Sequence, residues 1–248
     1  MRLRLLILMF GLGVGFLGLW AYCKFEDRRF RQELRQAQHE FGARRVGVAH
    51  ARLARLAARR PGVGEVEYWL GSCEMIRGHD AAALAAWARV PEKSKEAPLA
   101  AMSCGRLGLE TGRYQLAEET LARASREPGQ IGQEGRRLLG RLYWMMGRRD
   151  EQRLLMQGEA EQLADPSEVL RSQYMIDHDL YPMTFMELTL DQARKANPAD
   201  DRVWLALADL ARRKGQFDEA DEWLTRCERA RPQDPAVWRA RLEWAHSA

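Results

Sequence analysis

The chain lacks almost every pattern that chemistry at a protein site requires. Its five histidines, His39, His50, His79, His178 and His246, show neither HExxH nor any other metal-ligand spacing. Its four cysteines, Cys23, Cys73, Cys104 and Cys227, form no CxxC pair. Zinc ribbons, thioredoxin-like motifs and c-type haem attachment are therefore unsupported. Cys23 closes an apolar run, and the others fall within helical patterns as small apolar residues suited to burial. No nucleophile elbow, phosphate loop or paired-carboxylate motif stands out. The one compact polar group, Asp177-His178-Asp179, makes a poor site, because successive helical side chains diverge by about 100°. No catalytic, cofactor-binding or metal-binding residue is expected, and the chain reads as non-enzymatic.

A dominant charge is missing too. The 39 basic and 35 acidic residues are interspersed and leave a net charge of +4. Sequence-independent phosphate binding needs a denser basic block, so no nucleic-acid partner is expected. Prolines number only nine, and several recur at a regular interval.

Long hydrophobic runs are absent except for one. Arg2 and Arg4, in a short tail over 1–4, precede an uncharged stretch from Leu5 to Cys23 that ends at Lys24. As a helix these nineteen residues reach roughly 28 Å, the thickness of a bilayer core. Trp20 and Tyr22 sit at the far end, where aromatic rings favour the interface. Leu19-Trp20-Ala21 offers no small-residue cleavage site, and Tyr22 before Cys23 argues against lipoprotein processing. The segment reads as an uncleaved, single-pass signal anchor over residues 5–23. Arg2, Arg4 and the terminal amine favour an inside N-terminus. A count including Lys24, Arg28, Arg29, Arg31 and Arg35 on the far flank favours the reverse, and the short charged head resembles bacterial signal anchors that export the chain beyond them. The expectation adopted is an extracytoplasmic, periplasmic repeat domain. Gly13, Gly15 and Gly18 fit GxGxxG spacing, but the run continues through Phe16, Leu17 and Leu19 with no βαβ unit around it, so a dinucleotide turn is excluded. Gly11 and Gly15 form a GxxxG pair that is read as chance in a glycine-rich span.

What the sequence has, over residues 24–248, is self-similarity. Between Asp201 and Gln233 stand Trp204, Leu207, Ala208, Ala211, Gly215, Phe217, Ala220, Leu224, Cys227 and Pro232. Within a frame of 34 residues they occupy positions 4, 7, 8, 11, 15, 17, 20, 24, 27 and 32. The frame recurs through Leu139, Gly140, Tyr143 and Gly147, through Cys104, Gly105, Gly112, Tyr114, Ala117 and Leu121, and through Leu70, Gly71, Gly78, Ala83 and Trp87. A weaker first copy is carried by Ala37, Ala49, Leu53, Leu56 and Pro61, and a last half-copy begins at Pro235 with Trp238. The frames start near residues 30, 64, 98, 133, 167, 201 and 235, with one inserted residue near 130. This pattern closely resembles the tetratricopeptide repeat family. Small residues at positions 8 and 20 let two helices approach, and proline at 32 stops the second helix. No hairpin buries its apolar face alone, so neighbours must stack. The resemblance implies an all-α, right-handed superhelical stack of about six helical hairpins plus a terminal helix, following one transmembrane helix. Membrane-anchored bacterial proteins of this family are similar in layout, and some continue into a β-propeller or an enzymatic domain.

The fifth frame departs from its own rule. Tyr174 and Met186 stand at its small positions, and Leu180-Tyr181-Pro182 replaces the glycine turn. Gln152 already stands at position 20 of the fourth. The bulky pair is expected to splay or redirect that hairpin, with a bend or hotspot over Tyr174–Phe185.

In this family the first helices line a concave face. Carried onto this chain, that face gives Tyr68, Met102, Arg106, Arg137, Arg141, Trp144, Arg171, Met175, His178 and Arg202 as groove residues. Arginines beside aromatic and methionine side chains suit an extended acidic peptide with apolar anchors. The Lys/Asn clamp that captures chaperone C-termini in related arrays is absent. The expected function is a membrane-anchored scaffold for a protein or peptide partner. The alternative is the anchoring and assembly arm of a larger membrane protein.

Overall fold

A computed structural model of the chain describes residues 24–160 and 183–248, together with Tyr22. The anchor expected over 5–23 lies outside these residues apart from Tyr22. Among the described residues every regular element is a helix, and no helix is long and apolar enough to cross a membrane.

The helices fall where the frame predicts. We label them α1 (24–42), α2 (Val46–Arg59), α3 (Gly64–Ile76), α4 (Asp80–Ala88), α5 (Ala97–Glu110), α6 (Tyr114–Ala124), α7 (Gly129–Met145), α8 (Arg149–Ala160), α9 (Met183–Ala196), α10 (Asp201–Arg213), α11 (Phe217–Ala230) and α12 (Pro235–Ser247). Three first helices begin on the predicted frame starts at 64, 201 and 235. Helix α7 starts at Gly129, ahead of the predicted 133, and its 17 residues absorb the inserted one. The fifth frame's first helix, with Tyr174, lies outside the described residues.

Position 15 closes the first, second, third, fourth and sixth hairpins with left-handed backbone. Gly78, Gly112, Gly147 and Gly215 have φ of 76°, 69°, 70° and 73°. Their missing Cβ removes the steric penalty of that region. The first hairpin puts Arg44 at the same position with φ 61°, the one non-glycine residue with positive φ among the described residues.

Position 8 sets how closely paired helices approach. A Cβ on Gly71 would lie 2.5 Å from the indole Nε1 of Trp87, which stands at position 24 and donates a 3.1 Å hydrogen bond to the Tyr68 carbonyl. A Cβ on Gly105 would strike the side chain of Leu121 in the same way. Gly140 faces Gln152, which is 1% exposed, so a small residue on one helix makes room for a larger one on the other. The frame's tryptophan and proline are also physically linked. Trp204 Nε1 donates to the Pro198 carbonyl and Trp238 Nε1 to the Pro232 carbonyl, both at 2.9 Å.

The chain divides into two units, residues 1–97 and 98–248. In the first, Phe30, Leu34, Ala37, Leu53, Leu56, Val66, Leu70 and Cys73 form the core. Arg52 of α2 holds the buried Glu40 of α1 through two hydrogen bonds of 3.0 and 3.2 Å. In the second, Tyr114, Leu121, Leu142, Met146, Met186, Leu190, Val203, Leu205 and Leu224 share one core. Cys73, Cys104 and Cys227 are buried, and burial pushes their thiols up to about 11, about 11 and about 12.

Within the second unit, contacts skip repeats. The turn of the third hairpin meets the fifth repeat's second helix: a Cβ on Gly112 would lie 2.5 Å from the Ala193 Cα. Asn197 Nδ2 donates to the Thr111 carbonyl at 2.9 Å, and the Gln115 N–H donates to Asp200 at 3.1 Å. The fourth hairpin's turn meets the sixth repeat, where a Cβ on Gly147 would lie 2.5 Å from Asp209. A strictly one-dimensional stack would not bring these parts together.

Candidate protein-binding face

Helices α5 and α7 present positions 5 and 9 of the third and fourth frames side by side. Arg106 of α5 pairs with Glu134 of α7 at 3.2 Å, both partly open to solvent. Arg137 and Arg141 are exposed one turn apart on α7 and make no ion pair among the described residues. Met102 is half-buried on α5, and Leu99 is exposed at 37% on the turn before it. The face therefore offers apolar surface flanked by three guanidiniums and one carboxylate. Guanidinium forks donate paired hydrogen bonds to carboxylates, which suits an acidic segment.

Two expected groove residues lie inside the second unit instead. Trp144 is 5% exposed in the core, with the Arg213 guanidinium 5.8 Å above its ring. Arg202 is 6% exposed and held between Glu118 and Asp234, each at 2.6 Å. Glu118 also pairs with Arg148, which in turn pairs with Glu151 at 3.2 Å, and Glu151 pairs with Arg239 of α12. Burial opposes the charge of Arg148 and Arg202, but Glu118 and its neighbours outweigh it and hold both guanidiniums above their ordinary range. These arginines bind the unit together, since removing one partner of a buried pair leaves an uncompensated charge. No sequence signal marked Arg202 and Trp144 as buried, because frame positions 2 and 12 face solvent only where successive repeats stack in line.

Tyr68 is half-buried in the first unit, beside Trp69 in an edge-on contact with ring centroids 5.5 Å apart. Arg171, Met175, His178 and the Asp177-His178-Asp179 group lie outside the described residues. Trp244 is partly buried, with its Nε1 donating to the Phe217 carbonyl at 3.0 Å. Trp238 is the exposed one, at 54%, with Leu242 at 60% a turn later.

Residues 34–98 and residues 189–242 each match a tetratricopeptide repeat family model. No curated protein matches the chain in sequence. Among solved structures the chain is similar to Pseudomonas aeruginosa pilF, at 13% identity over 88% of this chain and 98% of that one, with a TM-score of 0.51. It is also similar to the tetratricopeptide domain of P58(IPK), at 13% identity over 88% of this chain and 64% of that one, with a TM-score of 0.43. A chain of the Cut9–Hcn1 hetero-tetramer of APC/C matches at 16% identity over 86% and 42%, with a TM-score of 0.40. Identity this low speaks to fold alone.

Proposed function

We propose, from the premise that this chain is built of tetratricopeptide repeats, that it is a membrane-anchored scaffold holding an extended acidic segment of a partner protein. Repeats of this kind are suited to protein–protein interaction. The finer reading rests on one observation, the α5–α7 face, where Arg137 and Arg141 have no carboxylate partner among the described residues and stand beside the apolar Met102 and Leu99. The anchor reading rests on the uncharged run from Leu5 to Cys23, and Arg2 and Arg4 before it support repeats on the extracytoplasmic side. Proteinase protection in intact cells tests that side.

The test of binding uses full-length protein in detergent against an array of extended peptides that vary in acidic and apolar content. Acidic peptides with apolar anchors should be selected. Reversing Arg137 and Arg141 to Glu should weaken them about tenfold or more, since each exposed pair contributes up to about 1 kcal/mol. Equal binding by the reversed protein, or selection of basic peptides, would count against the acidic groove. A second reading, the arm of a larger assembly, is favoured by the open apolar pair Trp238 and Leu242 on α12. Reading the coding sequence past Ala248 tests it.

A further inference from the structure

The first helix sorts its charges by face. Lys24, Arg28, Arg31 and Arg35 succeed one another at intervals of four, three and four residues, which places them within roughly a 60° sector of α1. All four are exposed. Arg28, Arg31 and Arg35 make no ion pair among the described residues. A separate face carries Phe30, Leu34 and Ala37 into the core of the first unit.

The acids of the same helix are all paired with arginines of α2 or with Arg60 just after it. Arg59 binds Glu26 at 3.2 Å and Glu33 at 3.1 Å, and Arg60 binds Asp27 at 2.6 Å. Arg29 adds a second contact to Glu33 at 3.2 Å. A helix whose sequence mixes both signs thus presents a stripe of one sign. Tyr22 and Phe25, each 64% exposed, stand at its start.

We infer that this stripe docks on anionic lipid headgroups of the membrane from which the chain emerges. The inference rests on the anchor reading of residues 5–23. Its force comes from distance. The stripe begins one residue after that segment and extends eleven residues, roughly 16 Å as a helix. The headgroup layer is about 5–7 Å deep on each side, and the Debye length adds about 8 Å at physiological salt. Lying flat, α1 therefore brings all three arginines within reach of the lipid charge, and standing upright it still brings Arg28 and Arg31 within reach, at roughly 8 and 12 Å along the helix. Clustered arginines beside a membrane segment are attracted to acidic lipid, and amphipathic aromatics favour the headgroup level. An acidic protein would be attracted to the same charges, but only the lipid is delivered to the stripe by the chain itself.

The experiment uses the full chain with Cys23→Ser and Gln32→Cys, because Gln32 is exposed beside the stripe and the thiols of Cys73, Cys104 and Cys227 are buried. A fluorophore on residue 32 reports energy transfer to a headgroup acceptor, in phosphatidylcholine vesicles with or without phosphatidylglycerol. Flotation of the same vesicles reports the anchor. The expected result is flotation with both compositions, severalfold stronger transfer with phosphatidylglycerol, and loss of that excess at high salt or in the Arg28→Glu, Arg31→Glu, Arg35→Glu variant. Circular dichroism of the variant checks that the repeats stay folded. Equal transfer with both lipids, or transfer unchanged in the variant, overturns the lipid stripe and leaves the anchor standing. Flotation only with phosphatidylglycerol, reversed by salt, supports the stripe and removes the anchor. Flotation with neither overturns both. A stripe that ignores vesicles yet binds polyglutamate assigns it to an acidic protein and overturns the lipid reading.

Discussion

Arg44 occupies a backbone state that its four counterparts fill with glycine. Left-handed backbone costs an L-residue about 1–2 kcal/mol, and glycine's extra chain entropy takes back about 0.5–1 kcal/mol. Arg44→Gly should therefore stabilise the first unit by about 0.5–1 kcal/mol, read as a higher melting temperature. A lower one would mean that the arginine contributes something its exposed position does not show. The sequence marked glycine at this frame position in the later repeats. It could not mark Arg44 as strained, because a side chain carries no sign of its own φ. The two groove residues found inside the second unit, Trp144 and Arg202, are missed for a related reason. Position in a repeat fixes which way a residue points from its own helix, while its exposure depends on what arrives from elsewhere in the chain. Arg106, Arg137 and Arg141 are exposed because no distant element among the described residues covers them.

Single helices are legible to within a few residues, because the period of the apolar positions and the turn residues act locally. Their spacing is set by complementary volumes that sequence shows only in pairs. Gly71 is small because Trp87 is large, and Gly140 leaves room for the Gln152 that looked disruptive when taken alone. Gly71→Ala should cost about 1–3 kcal/mol, since its Cβ meets an indole already bonded to the Tyr68 carbonyl. Gly47→Ala serves as the contrast, because nothing lies within 4 Å of its Cβ and helix α2 should gain up to about 1 kcal/mol. Denaturant midpoints for the two variants should move in opposite directions. Met186, at the fifth repeat's small position, is 1% exposed in the core of the second unit and within 4.0 Å of the Arg213 guanidinium on α10. A large side chain at that position is accommodated by packing on a neighbouring helix.

The two units answer acid differently. In the first, the hydrogen bond from Arg52 holds Glu40 below its ordinary 4.5. Burial works against the charge of Glu74, but His79 at 2.8 Å and His50 at 2.6 Å outweigh it and hold that carboxyl low as well. A carboxyl depressed by folding contributes stability that is complete above its unfolded value and is lost as pH falls through the folded one. In the second unit, Asp234 is depressed: burial opposes its charge, and the Ala236 N–H and Arg202 prevail. Burial raises Asp200 and Glu243, whose contributions run the other way. As pH is lowered from about 5 to about 3, pepsin should release peptides of residues 24–97 before those of 98–248. The reverse order would show that these carboxyls do not govern acid stability. The skipping contacts of the second unit were invisible in sequence, since residues 112 and 193, or 147 and 209, share no periodic signal. They carry a consequence for how such a chain can change in evolution. An array whose members touch only their neighbours gains or loses whole copies with little disturbance. Here Glu118 of the third repeat, Arg148 of the fourth, Arg202 of the sixth and Asp234 before the last helix are joined by one set of charges. Deleting or duplicating any one of those members would leave buried charges without partners, so the copy number of this half of the chain is fixed by its electrostatics.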